Sequence, residues 1–444
     1  MSTQKEGLVN FLQEFSIPLI AGVFAALLAA NLAPETYQHW FSPIHKGDHG
    51  DGGHEVFDLG FAVFGHTVGL HFLINDIFMV FFFGVAAKEI TEACLPGGSL
   101  NPMKSAINPL LACLGGVFGP VGAFFLFLVL WHGASPEAFG GFELWGEGSL
   151  SKGWGIPTAT DIALAWLVAR AVFGKGHPAI NFLLLLAVAD DAIGLGIIAV
   201  FYGDPTNPAK PEFLGLVALG MAVAYFMRRK NVQSWIPYIA IAGPISWCGL
   251  MLAHLHPALA LVPIVPFLPG PKRDTGLFIE QDEVDQAQAA GHGEPHDHSP
   301  LHEFEHQLKG FVDFGLFFFA FANAGVELAG IGPLTWIILG ALVVGKTVGV
   351  AFFGILGQVI GFPLPKGMTI KDLTMAGFIA ALGLTVALFV AGAAFTNPEL
   401  QGQAKMGALF SGFVGLAAIL LGRALGFGRQ RSAASKEPEK TEAA

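Results

Sequence analysis

The sequence predicts an all-α polytopic membrane protein of about twelve transmembrane helices, and three observations predict it. Of its 444 residues, 53% are hydrophobic and only 13% charged, about half the charged share of a soluble domain. The apolar residues gather into stretches long enough to cross a hydrocarbon core of about 30 Å. Inside several stretches stand ionisable residues beside Pro and Gly. At such depth each costs several kcal/mol, so it marks an ion or proton path rather than a solvated surface.

In chain order the candidate spans are 15–34, 66–93, 106–131, 153–173, 178–203, 212–228, 235–252, 256–269, 311–329, 332–361, 373–396 and 405–427. The segment before the first has one lysine, Lys5, and no small-residue cleavage site, so 15–34 reads as a retained span. The eighth is short and crowded by Pro257, Pro263, Pro266 and Pro269. With the N-terminus placed inside, 18 of the 23 lysines and arginines fall in inner segments. Lys46, Lys152, Lys210 and Lys405 fall outside, and Lys346 lies within a span. The positive-inside rule then puts both termini in the cytoplasm.

The polar segments follow from this layout. Residues 1–430 read as one transmembrane domain and 431–444 as a disordered cytoplasmic tail rich in Lys, Glu and Ala. An outer loop at 35–58 carries His39, His45, His49 and His54. An inner acidic loop at 270–306 carries His292, His296, His298, His302 and His306. Both have the composition of solvated loops. The net charge of −11 resides in these loops, and the chain has no basic surface for a nucleic acid. Cys94, Cys113 and Cys248 are three thiols in or beside apolar stretches and form no disulfide framework.

Asp190-Asp191, in the middle of the apolar run 180–202, organise the candidate site. Neighbouring helix residues point about 100° apart, so the two carboxylates face different partners. In Gly155-Ile156-Pro157-Thr158-Ala159-Thr160-Asp161, the proline removes a backbone donor and the threonines and aspartate follow at once. Irregular backbone at this depth is tolerated where it lines a cavity. Asp161 lies about eight residues, or about 12 Å, from the outer end of its span, near the midplane. Lys346 is equally central in its span and needs a carboxylate partner, for which the paired aspartates are candidates. Gly377–Ala387, with Gly383 and Thr385, forms a second loosened span. Asp76 and Glu89 line an inner funnel, or Glu89 pairs with Lys88.

His302-Glu303-Phe304-Glu305-His306 fits H-E-x-x-H and offers a reading from another class, a membrane-embedded zinc protease. The motif has no third ligand at spanning depth and leaves the midplane aspartates unexplained.

At Gly155–Asp161, Ala189–Gly194, Phe319–Gly325 and Gly345–Gly349 the chain resembles the NhaA-type sodium/proton antiporters, over about residues 15–423. The resemblance implies an inverted-repeat transporter fold with two broken helices crossing near the midplane, an arrangement of which this family is itself a standard example. It implies a secondary transporter, not an enzyme, that exchanges Na⁺ or Li⁺ for H⁺ across a bacterial inner membrane without a cofactor, electrogenically and under pH control. By position, Asp191 is similar to the principal ion-binding and proton-carrying carboxylate, with Asp161 and Thr160 completing the Na⁺ site. Asp190 resembles the partner of Lys346. Asp76 and Glu89 match the cytoplasmic funnel and His256 the pH-responsive histidine. A homodimer through an outer hairpin near 35–58 is implied as well. The sequence departs from the family at Ala93, where a second funnel glutamate is expected with Glu92 adjacent, and at Lys309-Gly310, where His-Pro is common. A sodium-coupled anion symporter on a similar scaffold is the alternative, and it lacks an intramembrane arginine to hold its anion.

Overall fold

The structure, a computed structural model, describes residues 16–41, 58–64, 66–95, 103–146, 148–203, 208–270 and 299–427. Several apolar segments become helix at a proline or a side-chain acceptor, and others start with neither. They give α1 (Ile17–Leu32), α2 (Pro34–Phe41), α3 (Leu70–Cys94) and α4 (Met103–Ala134). A 3₁₀ segment, Leu150–Thr158, precedes α5 (Ile162–Phe173) and α6 (Pro178–Phe201). Then come α7 (Leu214–Arg229), α8 (Tyr238–Leu252), α9 (Pro300–Asn323) and α10 (Pro333–Ile360). The last three are α11 (Ile370–Ile379), α12 (Thr385–Ala394) and α13 (Pro398–Leu425). Pro178, Pro300, Pro333 and Pro398 each open a helix at a position where the missing N–H costs nothing.

Among the described residues, six helices are long and apolar enough to cross a membrane, or seven if the bent pair Leu150–Thr158 and Ile162–Phe173, which meet at 51°, counts as one span. This is a helical membrane protein with an interrupted span. The expected eighth span, 256–269, is no continuous helix: it is a run of turns with 3₁₀ segments at Pro257–Leu259 and Val265–Phe267. Its prolines remove the backbone donors a helix needs.

Three boundaries differ from the sequence expectation. Helix α9 starts at Pro300 rather than near 311, because the Ser299 hydroxyl accepts the His302 N–H and caps it. Residues 300–306 are therefore helix, and the rest of the expected inner loop, 271–298, lies outside the described residues. The outer segment opens with the helix α2. An antiparallel hairpin then forms at β1 (Asp58–Val63) and β2 (His66–Gly69), paired Ala62 to Thr67 and Val63 to His66, just after the expected position. Helix α13 begins at Pro398 behind an Asn397 cap, so Lys405 is buried two turns inside it and is not an outer-loop cation. The histidines at 45, 49, 54, 292, 296 and 298 and the tail from 428 lie outside the described residues.

Helix α6 is the centre of the fold. Of its most apolar window 61% is buried, against 17% for Pro211–Arg229. Helix α4 packs along α6 and crosses α10 at closest approach. At that crossing Gly115 and Gly119 of α4 meet Gly349 and Gly345 of α10. A Cβ on any of the four would strike backbone of the other helix. Two G-x-x-x-G pairs therefore interlock backbone to backbone, as small residues do where helices associate without a hydrophobic drive.

Candidate functional site

Both interrupted segments pass beside α6. In the first, 3₁₀ helix gives way at Ala159–Asp161 before α5 starts. In the second, 380–384 separates α11 from α12. The breaks exchange backbone bonds directly: the Asp161 N–H donates to the Leu382 carbonyl at 2.6 Å. Asp161 also caps α5, with Oδ1 accepting the Leu164 N–H at 3.1 Å. Its Oδ2 accepts the Thr385 hydroxyl at 3.0 Å. Gly383 sits in the second break, where any Cβ would crowd the Ala159 carbonyl.

The paired aspartates face different partners, as their helical positions require. Asp190 is fully buried, and its Oδ2 accepts from the fully buried Lys346 ammonium at 2.7 Å. Lys346 also donates to the Thr160 hydroxyl at 2.5 Å. That hydroxyl stands 2.9 Å from both Asp190 Oδ2 and the Ala380 carbonyl, and its single proton serves one at a time. Lys346 ends a π-helical turn, Ala341–Lys346, within α10. Such turns recur where a helix must aim a functional side chain.

Asp191 is different. Its Oδ1 is buried and, among the described residues, has no hydrogen-bond partner. The carboxylate borders a cavity of about 10 Å³ walled by Phe82, Phe83, Ala86, Leu195 and Val386, room for about one water-sized sphere. Asp161, Asp190 and Lys346 all lie within electrostatic reach of it. A buried carboxylate oxygen without a donor is costly, and a small hard cation or a proton satisfies it. Leu195 also walls a larger apolar cavity of about 420 Å³ that runs along Ala87, Ala199 and Pro263.

The funnel candidates divide. Glu89 pairs with Lys88 at 3.3 Å, and the same buried ammonium bonds Glu92 and, from α9, Glu305. Three carboxylates thus share one lysine, and Glu92 occupies the cluster where Ala93 is silent. Asp76 lies in a second π-helical turn, Leu73–Phe78, with the His256 Nδ1 at 3.8 Å. The His256 ring rests on Phe389 at 4.5 Å, and Trp247 Nε1 donates to the Asp76 carbonyl at 2.9 Å. Among the described residues, the acidic trio of Glu89, Glu92 and Glu305 forms a three-ligand cluster, and neither His302 nor His306 belongs to one.

Thus Asp190, Lys346 and Thr160 come together. Asp161 and Asp191 stand beside them, and Asp76, Glu89 and His256 lie in two separate groups. Thr160, expected at the cation, here accepts from Lys346 and donates to Asp190 or to the Ala380 carbonyl. Sequence reasoning does not reveal Thr385 as the partner of Asp161, nor Cys113, whose thiol donates to Asp190 Oδ1 at 3.1 Å. Neither residue type announces itself within an apolar stretch. The G-x-x-x-G spacings of Gly115–Gly119 and Gly345–Gly349 were the available sign that α4 and α10 touch.

Residues 10–424 match the family described as Na⁺/H⁺ antiporter 1. The Na(+)/H(+) antiporter NhaA of Desulfitobacterium hafniense (strain DSM 10664 / DCB-2) is 56% identical over 426 residues, covering 96% of this chain and 98% of that protein. The protein of that name from Geobacter sulfurreducens is 52% identical over 417 residues, 94% of this chain and 97% of its own length. The Na(+)/H(+) antiporter NhaA 1 of Pelobacter propionicus is 54% identical over 415 residues, with coverage of 94% and 97%. A match over nearly the whole chain, with relatives above half identity and an ion pair beside an unsatisfied carboxylate between two broken segments, has one consequence: the chain belongs to the NhaA-type Na⁺/H⁺ antiporter 1 family.

Proposed function

We propose that this protein is a secondary antiporter of the bacterial inner membrane that exchanges Na⁺ (or Li⁺) for H⁺. The observation that carries the reading is the asymmetry of the pair. Asp190 is saturated by donors, whereas Asp191 keeps a buried oxygen without one among the described residues. Asp191 and Asp161 supply the carboxylate oxygens for the cation, and Thr160 joins them with its hydroxyl oxygen. A carboxylate that has taken a proton is a poor ligand, so sodium and protons compete for Asp191. Alternate exposure of that one group to the two sides couples their movements.

Lys346 makes the cycle electrogenic in this reading. With sodium on Asp191, the Lys346–Asp190 pair is closed. On the return stroke Asp191 takes a proton and the opened pair takes another, so more protons than sodium ions cross. The architecture that goes with it has about twelve crossings in inverted repeats, with two of them broken at 159–161 and 380–384, and both termini in the cytoplasm. Lys88 with its three glutamates, and His256 with Asp76, form the pH-responsive funnel. The hairpin at 58–69 joins two copies into a dimer. Dequenching of a pH-sensitive dye in proteoliposomes on adding Na⁺, Li⁺ or K⁺ tests the activity. An equal response to K⁺, or no response to Na⁺, overturns it.

A further inference from the structure

We infer that Cys113 is a positioning residue for transport: its thiol holds the Asp190 carboxylate turned toward Lys346 and away from the cation that Asp191 takes. The inference rests on the antiport reading above and deepens it. Asp190 has two oxygens, and Lys346 and Thr160 both engage Oδ2. Among the described residues, the Cys113 thiol, at 3.1 Å, is what engages Oδ1. A carboxylate held by one oxygen is free to pivot about it, whereas donors on both oxygens define one orientation.

The arrangement is built by α4. Cys113 and Gly116 lie three residues apart and face α6 together. A Cβ at Gly116 would stand 3.3 Å from Oδ1 and 3.5 Å from Oδ2 of Asp190, so glycine leaves room for the carboxylate. The interlocked glycines of α4 and α10 bring Cys113 and Lys346 to opposite sides of the same carboxylate. A buried cysteine ordinarily serves as a small hydrophobe with a weak donor. Here its acceptor is an ion, and a hydrogen bond to a charged acceptor is markedly stronger than a neutral one. Cys113 is 1% exposed, so water does not compete for the bond.

The bond is read directly by infrared spectroscopy of the purified protein with Cys94→Ala and Cys248→Ala, in which the one S–H stretching band belongs to Cys113. The band is expected below the free-thiol frequency, and Asp190→Asn is expected to move it back up. In proteoliposomes, Cys113→Ala is expected to lower the maximal rate of Na⁺-driven proton movement about three- to tenfold, the scale of one lost hydrogen bond, with half-saturating Na⁺ unchanged within about twofold. Cys113→Ser, which keeps a donor, is expected to restore the rate. An S–H band at the free-thiol frequency in a transporting protein overturns the inference, as does a Cys113→Ser variant no faster than Cys113→Ala. Absence of Na⁺-driven proton movement in wild-type vesicles overturns antiport itself, a separate failure, because the band position does not depend on transport.

Discussion

Replacing Lys346 with Gln separates a charge partner from a structural strut. Lys346 and Asp190 are both fully buried, 2.7 Å apart. Removing one member of such a pair leaves the other uncompensated, at a cost of about 3–5 kcal/mol. That is a large part of the roughly 5–15 kcal/mol that holds a typical domain together. Two donors, Thr160 and Cys113, still reach Asp190, and the glutamine amide supplies a third, so the loss falls toward the lower end. The lasting consequence is electrical. Asp190 then avoids a bare buried charge by keeping a proton throughout the cycle, and the second proton no longer crosses. Wild-type transport is expected to respond to voltage with about 2.3 kcal/mol per elementary charge per 100 mV. Lys346→Gln is expected to be inactive or, where exchange survives, indifferent to voltage. The assay is Na⁺/H⁺ exchange in proteoliposomes under a potassium-diffusion potential of either sign, with thermal unfolding in detergent as a control. Wild-type exchange that ignores the potential refutes the electrogenic cycle. A Lys346→Gln protein as voltage-sensitive as wild type makes Lys346 a strut and removes it from the coupling.

Other perturbations report on other parts of the site. Asp191→Asn is expected to abolish exchange and sodium binding while the unfolding temperature holds, because an amide neither ligates as an anion nor carries a proton; calorimetric Na⁺ titration checks it. Thr385→Val removes the hydroxyl that donates to Asp161 Oδ2 and is expected to cost about 1 kcal/mol of stability and to raise half-saturating Na⁺; a change in rate alone counts against Asp161 as a ligand. Gly349→Ala sets a methyl against the Gly115 carbonyl and is expected to destabilise by about 1–3 kcal/mol, read as a lower unfolding temperature. Lys88→Gln leaves Glu89, Glu92 and Glu305 repelling one another. It is expected to change the pH range of exchange measured in vesicles at saturating sodium, and an unaltered range removes the cluster from regulation.

The membrane class, the central place of Asp190-Asp191, the break at Pro157–Asp161 and the need of Lys346 for a carboxylate were legible in the sequence. Each is a matter of local chemistry: a charge or a proline in an apolar run announces its cost wherever the chain goes. Helix boundaries set by caps were less legible, since Ser299 and Asn397 begin α9 and α13 within stretches that hydropathy assigns to loops. That misplacement turned Lys405 into an apparent loop residue, although it is buried. What the sequence alone left open is which oxygen faces which donor. Asp190 and Asp191 are chemically alike and adjacent; only the approach of α10, the 159–161 break and α4 to α6 gives Asp190 its lysine, hydroxyl and thiol and, among the described residues, leaves Asp191 Oδ1 with no donor. Likewise the meeting of Asp161 with Leu382 and Thr385 joins residues more than 200 positions apart. Periodicity and composition act over a few turns of chain, whereas the pairing of buried polar groups depends on which helices pack together, and here that is decided by four glycines at the crossing of α4 and α10.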